Sequence, residues 1–420
     1  MYRLLYVCLD GLGDEPSPDL GNRTPLEAAD TPFLDSLAER GRTGTVVTVG
    51  PGIAPESDIA VFAILGYDPS QESPGRGVIE AIGTGMDFRD GDLGYRVNFA
   101  TVEWPKILDR RVGRNMLSEE AHQLADEVNE KLVLPGATFE LRATVEHRGV
   151  LVIRSKEGPL SAEVTNTDPA YMKDGHLGVA LEHFENEVVH CEALEDTPEA
   201  KRAAVLTNAF VEESHWIMEK STVNEIRRIE GKLPANLILT RDGGDQVPHL
   251  EPIEKRFGFP WGCFVEMPVE RGIALLLGMR PVDAPRLTHD DRYAEWARLA
   301  AEAVGDFGAL YVHLKGPDVP AHDGRAKDKR DVISTIDRAF FGEVLGQIDL
   351  TNTIIAVTAD HSTSCVREAH TADPVPLVAC GGLVQPDGSV SFGERAAAQG
   401  SLGELRGVDI VPHLVRLMKG

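Results

Sequence analysis

Three times along the chain, a short apolar run without alternation stops on an acidic residue beside glycine, proline or histidine. The runs are Leu4–Leu9 before Asp10-Gly11, Ala309–Leu314 before Gly316-Pro317-Asp318, and Thr353–Thr358 before Asp360-His361. Segments apolar at successive positions suit strands buried on both faces of a parallel sheet. Helical patterns lie between them. Thr31-Pro32 reads as a cap and first-turn proline, followed by an apolar face of Phe33, Leu34, Leu37 and Ala38 and a stop at Gly41. A second helix is expected over about Lys329–Gln347, where Ile333, Ile336, Phe340 and Val344 recur at spacings of three and four. This alternation predicts an α/β, doubly wound core, in which ligands gather at the carboxyl ends of the strands. All three acidic residues fall at such ends.

The middle of the chain reads differently. Strand-like pieces at Ala137–Ala143 and Val150–Ile153 precede acidic helical stretches around Glu192–Phe210. At 420 residues the chain has room for two or three domains. The expected division is a discontinuous core over 1–94 and 235–420, with a smaller α+β domain inserted at 95–234. Pro234–Leu239 is read as the strand that re-enters the core.

Composition narrows the function classes. Asp and Glu number 67 against 42 Lys and Arg, a net charge of −25, which repels nucleic-acid phosphates and anionic lipid. Neither nucleic acid nor membrane is an expected partner, and no feature specifies an oligomeric state. No run reaches the ~18 apolar residues of a membrane span, and the opening MYRLLYVCLDGLGDEPS is too short in apolar residues for a signal-peptide core. The cysteines Cys8, Cys191, Cys263, Cys365 and Cys380 are scattered without paired spacing, which suits a reducing, cytoplasmic setting.

The acidic strand ends come with histidines. Asp318 and His322 stand four apart in GPDVPAHDG, Asp360 and His361 are adjacent in VTADHST, and His370 follows in EAHTADP. With Asp10 these make three carboxylates and three imidazoles, a mixed oxygen and nitrogen set suited to borderline divalent ions. Six groups exceed one tetrahedral site, so two ions are expected. Such a pair stabilises the attacking and leaving oxygens of a phosphoryl displacement. The chemistry also needs a nucleophile. Ser57, in Pro55-Glu56-Ser57-Asp58, precedes the apolar run Ile59–Leu65 and is expected at a helix start, where free N–H groups favour an alkoxide or phosphate.

Together the strings DGLGDEP, TPLEAADTPFLDSLAERG, PESDIAVFAILGYDP, KGPDVPAHDG, TADHST with its following His-Thr, and DIVPHL resemble the archaeal-type branch of the cofactor-independent phosphoglycerate mutases, within the alkaline phosphatase superfamily. The resemblance runs in order over nearly the whole chain. It implies that Asp10, Ser57, Asp360 and His361 hold one metal and Asp318, His322 and His370 the other. It further implies that Ser57 accepts the phosphoryl group while 3-phosphoglycerate and 2-phosphoglycerate interconvert without 2,3-bisphosphoglycerate. Manganese is the first expectation for both ions, with zinc, cobalt and magnesium also compatible with these donors.

The substrate implied is a small phosphorylated carboxylic acid. Keeping water from a phosphoserine calls for a closing lid and for arginines that grip phosphate and carboxylate. Arg96, Arg110, Arg111 and Arg114 resemble the family's substrate-binding stretch, with Asp109 expected to orient one of them; Asn166-Thr167-Asp168-Pro169 resembles another family segment. The chain departs from the family pattern at Glu56, in the acidic residues of Leu239–Asp245, and at Asn166 and Ala170. All of these concern substrate contacts. They motivate an alternative reading, a metal-dependent phosphatase or phosphotransferase acting on another small phosphorylated acid or hydroxy amino acid. A sulfatase lacks support because Ser57-Asp58-Ile59-Ala60-Val61 is not a Cys/Ser-x-Pro-x-Arg motif. A binding protein without turnover is disfavoured because the nucleophile and all six metal-ligand candidates are retained.

Overall fold

The computed structural model describes the chain apart from Met1, Ser73, Gly175, His176, Glu182 and residues 286–290, with backbone alone over 173–174, 177–180 and at 291. It divides into two compact units, residues 1–72 with 250–420, and residues 73–249.

The first unit is built on an eight-stranded sheet. The three runs that end in acidic residues are its central neighbours: Arg3–Leu9 lies between Ala309–Leu314 and Thr353–Thr358, parallel to both. Every residue of the two flanking strands is buried, as their lack of alternation requires. Trp261–Phe264 extends the parallel order beyond Ala309–Leu314. On the other side the order turns mixed, because Val375–Gly381 runs antiparallel to Thr353–Thr358 and Arg42–Val47 antiparallel to it in turn. The α/β class holds, with a sheet that is not wholly parallel.

Two expected helices form with altered detail. Pro32–Arg40 begins at the expected proline, but the Thr31 side chain makes no capping bond. The buried Asp337 carboxylate takes that place, accepting the N–H of Phe33 at 3.2 Å and of Leu34 at 2.8 Å. A carboxylate at a helix start satisfies orphan donors and meets the positive end of the dipole. The helix expected over 329–347 is three pieces, Ala326–Ile336, a π turn Asp337–Phe341 that begins at this capping residue, and Gly342–Leu345. Among the described residues no helix is long and apolar enough to cross a membrane.

The second unit packs the helices Ser118–Lys131 and Pro198–Glu219 with an antiparallel sheet around one apolar cluster that includes Phe99, Leu124, Leu151 and Phe210. Its strands include Ala137–Ala143 and Arg148–Ser155, at the expected places. The expected helical stretch around Glu192–Phe210 begins only at Pro198, where the Thr197 hydroxyl accepts the Ala200 N–H.

The unit is larger than the 95–234 read from the sequence, for a packing reason at each end. Helix Arg76–Gly83 puts Val78 and Ala81 against Val150 and Val152. Strand Leu237–Gly244 pairs along Leu93–Glu103, with Ala100 opposite Leu237 and Arg96 opposite Arg241. The segment read as re-entering the core therefore belongs to this sheet.

Candidate active site

Parallel register assembles the core site. Leu9 pairs with Leu314 and Cys8 with Thr358, so Asp10, the 315–318 turn and Asp360 leave the sheet side by side. Asp318 opens a short helix that carries His322 one turn on, with its Nε2 3.5 Å from Asp318 Oδ1. His370 arrives from the strand Ala369–Thr371, which pairs with Ser362–Ser364. Its ring stacks on His361 at 3.9 Å, and its Nε2 lies 3.6 Å from Asp318 Oδ1.

Ser57 is the first residue of the helix Ser57–Ile64, after Glu56 at the cap position, and its Oγ is 3.2 Å from His361 Nε2. That nitrogen is also 3.7 Å from Asp10 Oδ1 and 3.4 Å from Asp360 Oδ2. All seven residues expected as metal ligands therefore meet in one place. Of three trios among the described residues whose donor atoms lie within 4.8 Å of one another, two are drawn wholly from these seven, Asp10-Asp360-His361 and Asp318-His361-His370, and the third is Cys8-His313-Asp360. His361 belongs to the first two, and His322 stands at the rim.

The donors are prepared for cations. Asp360 Oδ1 accepts the N–H groups of Gly11 and His361, while its buried Oδ2 has no hydrogen-bond partner. Each imidazole engages its Nδ1 elsewhere: His361 with Thr363 Oγ1 at 3.0 Å, His322 with the Glu368 carbonyl at 3.1 Å, and His370 with the Pro55 carbonyl at 2.8 Å. Outer partners of this kind fix ring orientation and leave Nε2 for a ligand. An orphaned buried oxygen and three converging Nε2 atoms fit divalent ions.

The protein's own charges balance the site in part. Burial opposes ionisation of Asp10, yet Lys315, His313 and His361 hold its carboxyl well below the usual range. Asp318 is lowered to about 2; burial and Asp10 oppose this, and His370, His361 and His322 prevail. His370 rises to about 9 despite its burial, through Asp318, Glu56 and the Pro55 carbonyl. Burial pushes the His361 imidazole down.

Two residues here are not singled out by sequence reading. Lys315 Nζ lies 2.6 Å from Glu270 Oε1 and 3.2 Å from Asp10 Oδ2; its place just after the Ala309–Leu314 strand, in KGPD, is the available signal. His313 is buried within that strand, its Nε2 3.7 Å from both Asp10 Oδ1 and Asp360 Oδ2. In an apolar run it carries no sequence signal.

Of the four expected arginines, Arg96, Arg111 and Arg114 act together on His147, after burial and Arg148, and Arg110 is engaged elsewhere. Arg96 joins Arg76 and Arg241 around the buried Glu80, with Arg76 Nε 2.7 Å and Arg96 Nε 3.6 Å from Glu80 Oε1. The Nε atoms of Arg96 and Arg241 are buried without hydrogen-bond partners. Burial, then Arg241 and Arg76, bring the Arg96 guanidinium down to about 9. Arg110 instead grips the buried Asp168 through two bonds of 2.7 and 2.6 Å, which gives the Asn166–Pro169 segment a definite job. Asp109 orients no guanidinium in these bonds; its carboxylate accepts the backbone N–H of Arg111 at 2.7 Å. Arg111 and Arg114 lie close enough to His147 to depress its pKa. Of the acidic residues in Leu239–Asp245, Asp242 lies 3.7 Å from Arg241 Nε and Asp245 accepts the Ala162 N–H.

Comparison with known proteins agrees across the chain. The family model described as 2,3-bisphosphoglycerate-independent phosphoglycerate mutase matches residues 38–224. A mutase of that name from Aeropyrum pernix is 40% identical over 429 aligned positions, covering 100% of both chains. Among solved structures, a protein from Pyrococcus horikoshii is 31% identical with a TM-score of 0.81, covering 100% of this chain and 97% of its own. The cofactor-independent phosphoglycerate mutase from Thermoplasma acidophilum is 32% identical with a TM-score of 0.66 over the whole of both chains.

Proposed function

The chain belongs to the 2,3-bisphosphoglycerate-independent phosphoglycerate mutase family, and from that premise we propose that it interconverts 3-phosphoglycerate and 2-phosphoglycerate through a phosphoserine at Ser57. The observation that carries the reading is the Ser57 hydroxyl, 3.2 Å from His361 Nε2 at a helix N-terminus within the ring of Asp and His donors. We further propose Asp10, Ser57, Asp360 and His361 for one divalent cation and Asp318, His322 and His370 for a second, manganese first. When bound, such ions neutralise charge developing on the phosphoryl oxygens and lower the pKa of a hydroxyl.

The residues then have separable tasks. As Ser57 Oγ bonds to phosphorus and the ester bond to glycerate breaks, Ser57 gives up its proton and the leaving glycerate oxygen takes one up, while the His361 ring, 3.2 Å from Oγ, keeps the hydroxyl in place. The other hydroxyl of the same glycerate attacks the phosphoserine, frees Ser57 and gives up its own proton, so phosphate and substrate are conserved. N–H groups at the start of the Ser57 helix favour the anionic group. Lys315 offsets the charge of Asp10 and Glu270. In the second unit, the Nε groups of Arg96 and Arg241, near carboxylates but without a hydrogen bond, support a role in holding a carboxylate or phosphate. The free, buried state of all five cysteines supports the cytoplasmic setting.

A phosphorus NMR spectrum of purified protein with 3-phosphoglycerate and Mn²⁺, without added bisphosphoglycerate, tests this. The 2-phosphoglycerate resonance should grow in, and should fail to form in a parallel reaction containing EDTA, with zinc, cobalt and magnesium tried in turn. Inorganic phosphate in its place would overturn the mutase reading in favour of a phosphatase. Ser57→Ala should lose isomerisation by at least about 10³-fold; retention of appreciable activity would remove Ser57 from the reaction.

A further inference from the structure

The two trios drawn from the expected ligands share His361, and one hydroxyl holds that imidazole. Thr363 Oγ1 donates to Asp318 Oδ1 at 2.8 Å and meets His361 Nδ1 at 3.0 Å. A hydroxyl has one proton to give, and an ionised carboxylate can only accept. With that proton on the Asp318 bond, Nδ1 must be the donor to Thr363, and the lone pair of Nε2 is left facing Ser57. Ser57, His361, Thr363 and Asp318 thus form one chain of hydrogen bonds from the nucleophile to the other ligand set.

The hydroxyl has little freedom to do otherwise. Thr363 is fully buried; its N–H donates to the Gly13 carbonyl at 2.9 Å, and its carbonyl accepts from Lys329 Nζ at 2.8 Å. The buried Lys329 ammonium also holds the Gly13 carbonyl and Asp14, at 2.9 and 3.0 Å. Gly11 closes the other side in a left-handed conformation at φ +60°: a Cβ there would stand 2.7 Å from Thr363 Oγ1 and 2.8 Å from Asp318 Oδ1. The loop after the first strand is thereby shaped around this hydroxyl.

We propose that Thr363 is a positioning residue that joins the two ligand sets and selects the His361 tautomer with Nε2 open toward Ser57. The proposal rests on reading these Asp and His side chains as cation ligands, but its test does not require turnover. Calorimetric titration of the metal-free protein with Mn²⁺ should show Thr363→Val, which keeps the shape and loses the hydroxyl, weakened about 10–100-fold, and Thr363→Ser within about 3-fold of the parent. In turnover, Thr363→Val should lower kcat with little change in KM, and Thr363→Ser should restore it.

Long-range proton–nitrogen spectra of the metal-free parent should report His361 protonated on Nδ1, a readout that survives if Thr363→Val fails to fold. Unchanged Mn²⁺ affinity in Thr363→Val, equal losses in both variants, or an Nε2-protonated His361 would each overturn the proposal. Failure of the mutase reading would appear separately, as a parent protein that binds Mn²⁺ and isomerises nothing.

Discussion

The core site and the arginine cluster both gather like charges out of water, the first with Asp10, Asp318 and Asp360, the second with Arg76, Arg96 and Arg241. They are assembled in different ways. The acidic groups leave neighbouring parallel strands at one sheet end, set by pairings such as Leu9 with Leu314. The arginines come from a helix and two strands, Arg76–Gly83, Leu93–Glu103 and Leu237–Gly244, and meet only because those elements pack together. Their internal compensation also differs. Lys315, His313 and His361 serve Asp10, whereas Glu80 faces several guanidinium groups and leaves buried Nε atoms on Arg96 and Arg241 without hydrogen bonds. On the reading proposed above, the core would take cations and the arginine cluster an anion, and substitutions in each should give different signatures.

The largest effect is expected in the core. Asp360→Asn keeps the volume and removes the charge of a carboxylate whose Oδ2 has no hydrogen-bond partner. Losing several kcal/mol of metal-assisted stabilisation should lower kcat on the order of 10³-fold. Calorimetry should show fewer Mn²⁺ ions bound. Arg241→Met should behave in the opposite manner, leaving Mn²⁺ stoichiometry intact and weakening kcat/KM about 10–100-fold, mainly through KM, as expected for one hydrogen bond to a charged group. If Asp360→Asn binds both ions, or if Arg241→Met loses one, the division of labour between the regions is wrong.

The same contrast explains what could be read from the chain. Asp10, Asp318 and Asp360 were legible because an apolar run that ends on a carboxylate carries its strand, its sheet position and its exposed end in a few consecutive letters. His322 and His370 followed from nearby spacing. Arg241 was not legible as part of a cationic site, since its neighbours Arg76 and Arg96 lie far away in sequence and its own turn is acidic. The unit boundary differs for the same reason: the apolar end of Pro234–Leu239 has the composition of a core strand, and only the pairing of Leu237–Gly244 with Leu93–Glu103 assigns it. At Thr31 a local rule lost to a distant residue, because Asp337 reaches the helix start from a π turn that periodicity does not reveal.

The smallest effect sits at His147, which separates the regions by acid response. Burial, then Arg148, Arg111, Arg96 and Arg114, bring this imidazole down to about 3, although the Glu146 carboxylate lies 3.9 Å away. A histidine that stays neutral when folded but takes a proton when unfolded contributes its full stability above pH 6.5, and that stability is lost as pH falls toward 3. The loss should approach about 1.4 kcal/mol per pH unit below pH 6. Urea unfolding at pH 7, 6 and 5 should therefore give a steeper decline for the parent than for His147→Gln, whose amide stays neutral. Parallel declines would mean that neither burial nor the arginines keep this imidazole neutral in the folded protein. Inorganic phosphate bound among these guanidinium groups should offset that field and move the His147 titration upward in proton NMR, while Mn²⁺ added alone should leave it in place. A midpoint that answers to the cation and ignores the anion would reverse the roles assigned to the two regions.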